Sequence, residues 1–428
     1  LRLFAQILIL FMSLVLVVDL AGARDLPFVK AERQGMSSER LERVNTMAQA
    51  YVDAGKFPGM VTMVSRGGKI VQFEAFGQRG VDDDSPMQKD DLFRIYSMTK
   101  PITAVAIMQL YEQGKFHLND PIAKFVPELA ELKVLTAEGE QVPADSPITM
   151  HQLLTHTAGF SYGFPTGDPI DALYREAKLF QAKDLDEFAA RLASLPLKFQ
   201  PGAQWHYSVA VDVTGLIVQR ISGVPFDQYL QENIFQPLGM TDTFFEVPAD
   251  KLDRFLPNHY INPKTKVLET VPPGTAGLAR YTNVSLYSGG GGLVSSTMDY
   301  MRFAEAIRRG GELDGARILG PKTVRFMTRN HLGASVTAGG TGEDITDSRG
   351  KGMGFGLGFG VLMDPTKAAV LSSEGEFYWG GAAGTVFWID PVEDVIAIGM
   401  VQHMVSPHPL RNDLRVATYQ AIVESGED

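Results

Sequence analysis

Apolar positions recur at helical spacing at Leu41, Val44, Ala48, Tyr51 and Val52. Ser37 or Ser38 supplies an N-cap and Gly55 a stop, so the pattern predicts a first helix. Residues 60–65 and 70–76 are β-rich and flank Arg66-Gly67-Gly68-Lys69, which predicts a β-hairpin. Residues 102–111 are apolar on nearly every face and stop at Gly114; a helix of that kind is buried. From about 115 to 300 the pattern predicts helices separated by Pro/Gly loops, as at Pro165-Thr166-Gly167-Asp168-Pro169. β-rich stretches return at 355–363, 368–373, 385–390 and 394–402, the last two joined by a turn at Pro391. Leu414, Val416, Ala417, Ile422 and Val423 predict a closing helix.

Strands early and late with helices between imply an α+β fold. One antiparallel sheet is built from both ends of the chain and flanked by the N- and C-terminal helices. A mostly helical domain, 97–299, is inserted between 30–96 and 300–428, with the active site between the two. Residues 331–352 read as a long mobile loop. Gly289 to Gly292 lack the following Lys-Ser/Thr of a phosphate loop and read as a tight turn.

Composition narrows the chemistry. The 428 residues carry a net charge of −11 and contain no cysteine. The charge argues against a nucleic-acid partner, and the missing cysteines exclude disulfides and thiolate catalysis. Eight histidines fall in no ligand pattern, so neither metal nor cofactor is expected. Arg2, the apolar run 3–18 and Ala21-Gly22-Ala23 resemble a signal peptide, 1–23. The expected location is periplasmic or secreted, with no stable membrane span in the mature form.

Ser97-Met98-Thr99-Lys100 opens the buried helix, and Pro101 follows in its first turn. Three residues apart, hydroxyl and amine share one helical face. A serine needs a neighbouring base to become nucleophilic, and burial lowers a lysine's pKa toward that task. The pattern points to acyl transfer through an acyl-serine. Tyr207, after a Pro-Gly loop and before an apolar helix, is a candidate proton shuttle. Trp379-Gly380-Gly381 is a candidate substrate pocket, because paired glycines beside a strand allow close backbone approach. Gly159-Phe160-Ser161-Tyr162-Gly163 matches a nucleophile elbow, but no buried strand precedes it, so Ser161 reads as a loop serine. His403 or His408 would be the base in that rival scheme.

Ser97-x-x-Lys100, Tyr207-Ser208-Val209 and Trp379-Gly380-Gly381 stand in the order found in serine β-lactamase-like hydrolases. The chain resembles the family VIII carboxylesterases, relatives of class C β-lactamases and D,D-peptidases. Leu153 to Gly159 and Pro237-Leu238-Gly239-Met240 are similar to further segments of that superfamily. The resemblance implies Ser97 as nucleophile, with Lys100 and Tyr207 activating it and passing the proton to the leaving alcohol. It also implies an oxyanion hole from the N–H groups of Ser97 and Ala382. Class C lactamases carry Tyr-x-Asn and Lys-Thr-Gly, where this chain has Val209 and Trp379. The expected partner is therefore a small, neutral, apolar ester, with weak β-lactam binding at most. A β-lactamase, a D,D-peptidase or an acyltransferase on the same scaffold are the alternatives.

Overall fold

The computed structural model describes residues 25–164, 166–272, 275, 281–333, 337–338 and 352–426. The expected signal peptide, Pro165 and most of the 331–352 loop lie outside the described residues.

Eight antiparallel strands form the central sheet. Their order is Met353–Phe355, Gly360–Leu362, Phe377–Gly380, Val386–Asp390, Val395–Met400, Gly59–Arg66, Lys69–Gly80 and Asp83–Pro86. The seam between the two ends of the chain pairs Val61 with Met400 and Val64 with Ala397. The expected antiparallel sheet assembled from both termini is present.

The central strands are buried on both faces, which explains their near-continuous apolar sequence. On one face Leu41, Val44 and Tyr51 of the Ser38–Asp53 helix join Leu410 and Leu414 of the Leu410–Tyr419 helix over Trp388 and Ala397. The adjacent side chains Phe387, Ile396 and Ile398 point the opposite way. There they meet Tyr300 and Phe303 of the Thr297–Arg308 helix and Ile102 and Ala106 of the Thr99–Glu112 helix. The Tyr300 and Phe387 rings pack edge to face at 4.9 Å.

The C-terminal helix is tied down by charge as well as packing. Arg415 reaches Glu376 at 2.5 Å with both side chains nearly inaccessible, and Tyr419 donates to Asp390 at 2.6 Å.

The structure corrects three readings. Residues 368–373 form no strand. Asp364 caps a helical turn at Pro365–Ala368, and Ala369 turns left-handed at φ 55°, so the capped turn takes the place of the expected strand. The stretch 355–363 is a turn and a strand rather than one strand: Phe355 pairs with Gly360 across Gly358 at φ 89°. The closing helix ends at Tyr419, leaving Ile422 and Val423 beyond it. The helical region also holds two hairpins, Lys133–Leu135 with Gln141–Pro143 and His259–Ile261 with Leu268–Thr270. Strands of three residues are too short to register as a period. Among the described residues no helix is long and apolar enough to cross a membrane.

Candidate active site

Ser97 lies in a 3-10 turn, Tyr96–Met98, that runs directly into the Thr99–Glu112 helix. Tyr96 holds φ at 41°, a strained conformation for a non-glycine residue that costs about 1–3 kcal/mol. Its surroundings hold it there. The ring is buried, its hydroxyl accepts a hydrogen bond from Asn258 at 2.8 Å, and the neighbouring Ile95 N–H donates to Leu293. The turn leaves Ser97 half-buried at the mouth of an otherwise buried helix.

The side chains singled out in the sequence converge. Lys100 Nζ donates to Ser97 Oγ at 3.2 Å, and the Tyr207 hydroxyl donates to the same oxygen at 2.6 Å. Tyr207 arrives from the loop between the Gln204–Trp205 strand and the Ala210–Ser222 helix. Lys100 is buried, and its ammonium position sits 4.5 Å over the Tyr207 ring and 5.1 Å over the Tyr162 ring. Burial pulls the amine down to about 7, against the opposing charge of Asp212. An amine poised there exchanges protons at neutral pH.

Asp212 and the glycine turn are parts that sequence reasoning missed. Lys100 also donates to the Gly290 carbonyl at 2.6 Å. Gly289 accepts from Thr103 Oγ1 at 2.7 Å, and the Leu293 N–H donates to Thr99 Oγ1 at 3.1 Å, so the turn is stitched to the Thr99–Glu112 helix. The turn was legible as a turn. Its partner Asp212 had only one signal, a carboxylate in an otherwise apolar helical run.

Trp379 lies next to the end of the Phe377–Gly380 strand with its indole buried, 5.7 Å from Tyr207 and 5.3 Å from Phe355. Tyr162 packs 5.1 Å from Tyr207 and stacks at 4.7 Å on Phe164, which is exposed. Aromatic rings therefore run from the Ser97 cluster to the surface. The paired glycines are also required by close packing. A Cβ on Gly381 would lie 2.2 Å from Thr385 Oγ1 and 2.5 Å from the Ile95 carbonyl; one on Gly380 would meet Arg411 at 2.4 Å. Gly381 lets the strand end pack against the segment leading into Ser97, and Gly380 makes room for Arg411. Ala382 follows, exposed, and among the described residues its N–H has no hydrogen-bond partner.

His156 is buried against the rings of Tyr207, Trp205 and Phe355, and burial holds it well below its ordinary pKa. Ser161 lies in a loop, as expected, and is fully buried. It donates to Asp171 and lies 3.3 Å from His206 Nε2. His403 and His408 pack instead on Phe57, remote in role from that serine.

The Beta-lactamase family model matches residues 44–421. The chain is 38% identical over 368 residues to Protein Rv1367c of Mycobacterium tuberculosis, covering 82% of this chain and 87% of that one. It is 33% identical over 347 residues to esterase EstB of Burkholderia gladioli, covering 78% and 82%. Among solved structures it is similar to EstCE1, described as a hydrolase with promiscuous acyltransferase activity. The TM-score is 0.75 at 26% identity, over 89% of this chain and 99% of that one. By its matched length, its sheet and its relatives, the chain belongs to the Beta-lactamase family, within the serine β-lactamase-like superfamily.

Proposed function

We propose that this protein is a serine carboxylesterase that hydrolyses small, neutral, apolar esters through an acyl-Ser97 intermediate. One observation carries the reading: a single hydroxyl oxygen, Ser97 Oγ, is shared by a phenol at 2.6 Å and a buried amine at 3.2 Å. The Lys100–Tyr207 pair takes the Ser97 proton as Oγ bonds to the ester carbonyl carbon. The carbonyl electrons move to oxygen, where the N–H groups of Ser97 and Ala382 receive the negative charge. Collapse breaks the bond to the alcohol oxygen, which leaves with the proton held by Tyr207. Water then repeats the sequence on the acyl group, releasing the acid and returning the proton to Ser97.

The aromatic surround and the absence of a lysine at position 379 support apolar, uncharged substrates. The likeness to an esterase, EstB, supports the same chemistry. A second reading, transfer of the acyl group to an alcohol, has support from the description of EstCE1. β-Lactams fit less well, since Trp379 and Val209 replace a lysine and an asparagine, and weak binding at most is proposed. The 1–23 segment further supports export, with cleavage after Ala23; N-terminal sequencing of the exported protein should then begin at Arg24.

The test uses p-nitrophenyl butyrate and a chromogenic cephalosporin on wild type, Ser97→Ala and Ser161→Ala. Ser97→Ala should lose turnover by several orders of magnitude, roughly 10⁶-fold as for the nucleophile of another serine hydrolase. Ser161→Ala should retain most activity. Fast cephalosporin turnover would overturn the substrate class. Ester formation with added methanol would identify transfer.

A further inference from the structure

We propose that Asp212 is a positioning residue for this reaction: through the Gly290 peptide it seats the Lys100 amine against Ser97 and sets the charge that amine carries. The inference rests on the acyl-Ser97 reading. Asp212 sits in the first turn of the Ala210–Ser222 helix and is buried. Its Oδ1 accepts from the Gly290 N–H at 3.0 Å and from Ser288 Oγ, and its Oδ2 accepts from the Tyr162 hydroxyl at 3.4 Å. The same Gly290 peptide presents its carbonyl to Lys100 Nζ at 2.6 Å. One peptide unit is thus pinned at its N–H by a carboxylate and holds the amine with its C=O.

Position 290 admits only glycine in this arrangement. A Cβ there would lie 2.4 Å from Asp212 Oδ2 and 2.7 Å from the Tyr162 hydroxyl. A carboxylate needed only to start its helix would not require a distant glycine turn to close over it.

The groups facing Lys100 are Asp212, the rings of Tyr162 and Tyr207, and His156. Those facing Asp212 are Lys100, Tyr162 and Ser288. Burial holds His156 well below its ordinary range and pushes the Tyr162 phenol well up, and it also raises Asp212, against the pull of Lys100. The negative carboxylate favours the ammonium, so removing it favours the neutral amine.

Asp212→Asn keeps the shape and one acceptor for Gly290 but removes the charge. The acid limb of kcat/KM for p-nitrophenyl butyrate should move to lower pH by about 1–3 units, with the plateau retained within about tenfold. Asp212→Ala removes the acceptor too, and the plateau should fall about 10²-fold, the scale of an ångström-sized misplacement. Ser288→Ala removes one hydrogen bond to the carboxylate without touching Lys100. With that donor gone more of the negative charge acts on the amine, so the limb should move the opposite way, to higher pH, and by less; this variant carries the test alone if the Asp212 variants do not fold. Limbs that superimpose on wild type in folded Asp212→Asn and Ser288→Ala overturn the inference, whatever happens to Tm. If Ser97→Ala is inactive and the limb stays put, only the Asp212 role fails. If Ser97→Ala stays active, the esterase reading fails first.

Discussion

At the scale of single residues, the site depends on a lysine that is buried without a directly bonded carboxylate. Its hydrogen bonds go to Ser97 and to a backbone carbonyl, and burial leaves its amine near neutrality at about 7. In the proposed mechanism this amine must be neutral to accept the Ser97 proton. Below that pH the ammonium predominates, and kcat/KM should fall about tenfold per pH unit. A pH–rate profile on a neutral ester checks this; a flat profile from pH 5 to 8 would contradict it. Gly381 makes a second residue-scale prediction. An alanine there would drive Cβ into the Ile95 carbonyl and Thr385 Oγ1, so the strand end must move away from the Ser97 segment. Gly381→Ala should lose about 10²-fold in kcat, measured at saturating ester, with the fold retained by circular dichroism.

At the scale of elements, the legible parts were those with long or strongly patterned sequence. The all-round apolar run 102–111 announced a buried helix, and the 66–69 turn announced its hairpin. Ser97, Lys100 and Tyr207 were legible because local spacing and a family pattern named them. Asp212 and Gly290 were not, because their meaning is an encounter between distant segments. Residues 368–373 misled, since a short apolar stretch with one β-branched residue, Val370, follows an Asp-Pro cap that turns the chain instead. The Leu410–Tyr419 helix carries a charge whose partner lies on the Phe377–Gly380 side of the sheet. Arg415→Met would strand Glu376, which has no exposed side-chain surface. The cost should be about 3–5 kcal/mol in urea unfolding, against a surface-like loss below 1 kcal/mol if the pair were dispensable.

At the scale of the whole molecule, the fold joins the two ends of the chain in one sheet, with the helix that carries Lys100 packed on it. That sheet seam, from Val61–Met400 to Arg66–Val395, pairs the early and late regions directly. The protein's stability should depend on pH. Burial holds His151, His156, His259, His331, His403 and His408 below their ordinary range, so the unfolded chain binds more protons once pH falls through about 6.5. Asp299 works the other way: burial raises it to about 7, and its contribution is present in acid and lost as pH rises. Burial raises Asp91 and Asp212 as well, but six histidines and Lys100 outweigh three carboxyls, so Tm should fall between pH 7 and pH 5. A rising Tm over that range would contradict the balance. The most direct test of the account is chemical. Treat the protein with an alkyl p-nitrophenyl phosphonate and locate the adduct by peptide mass spectrometry. The account places one adduct on Ser97, lost in Ser97→Ala and retained in Ser161→Ala; an adduct on Ser161, or none on any serine, would contradict it.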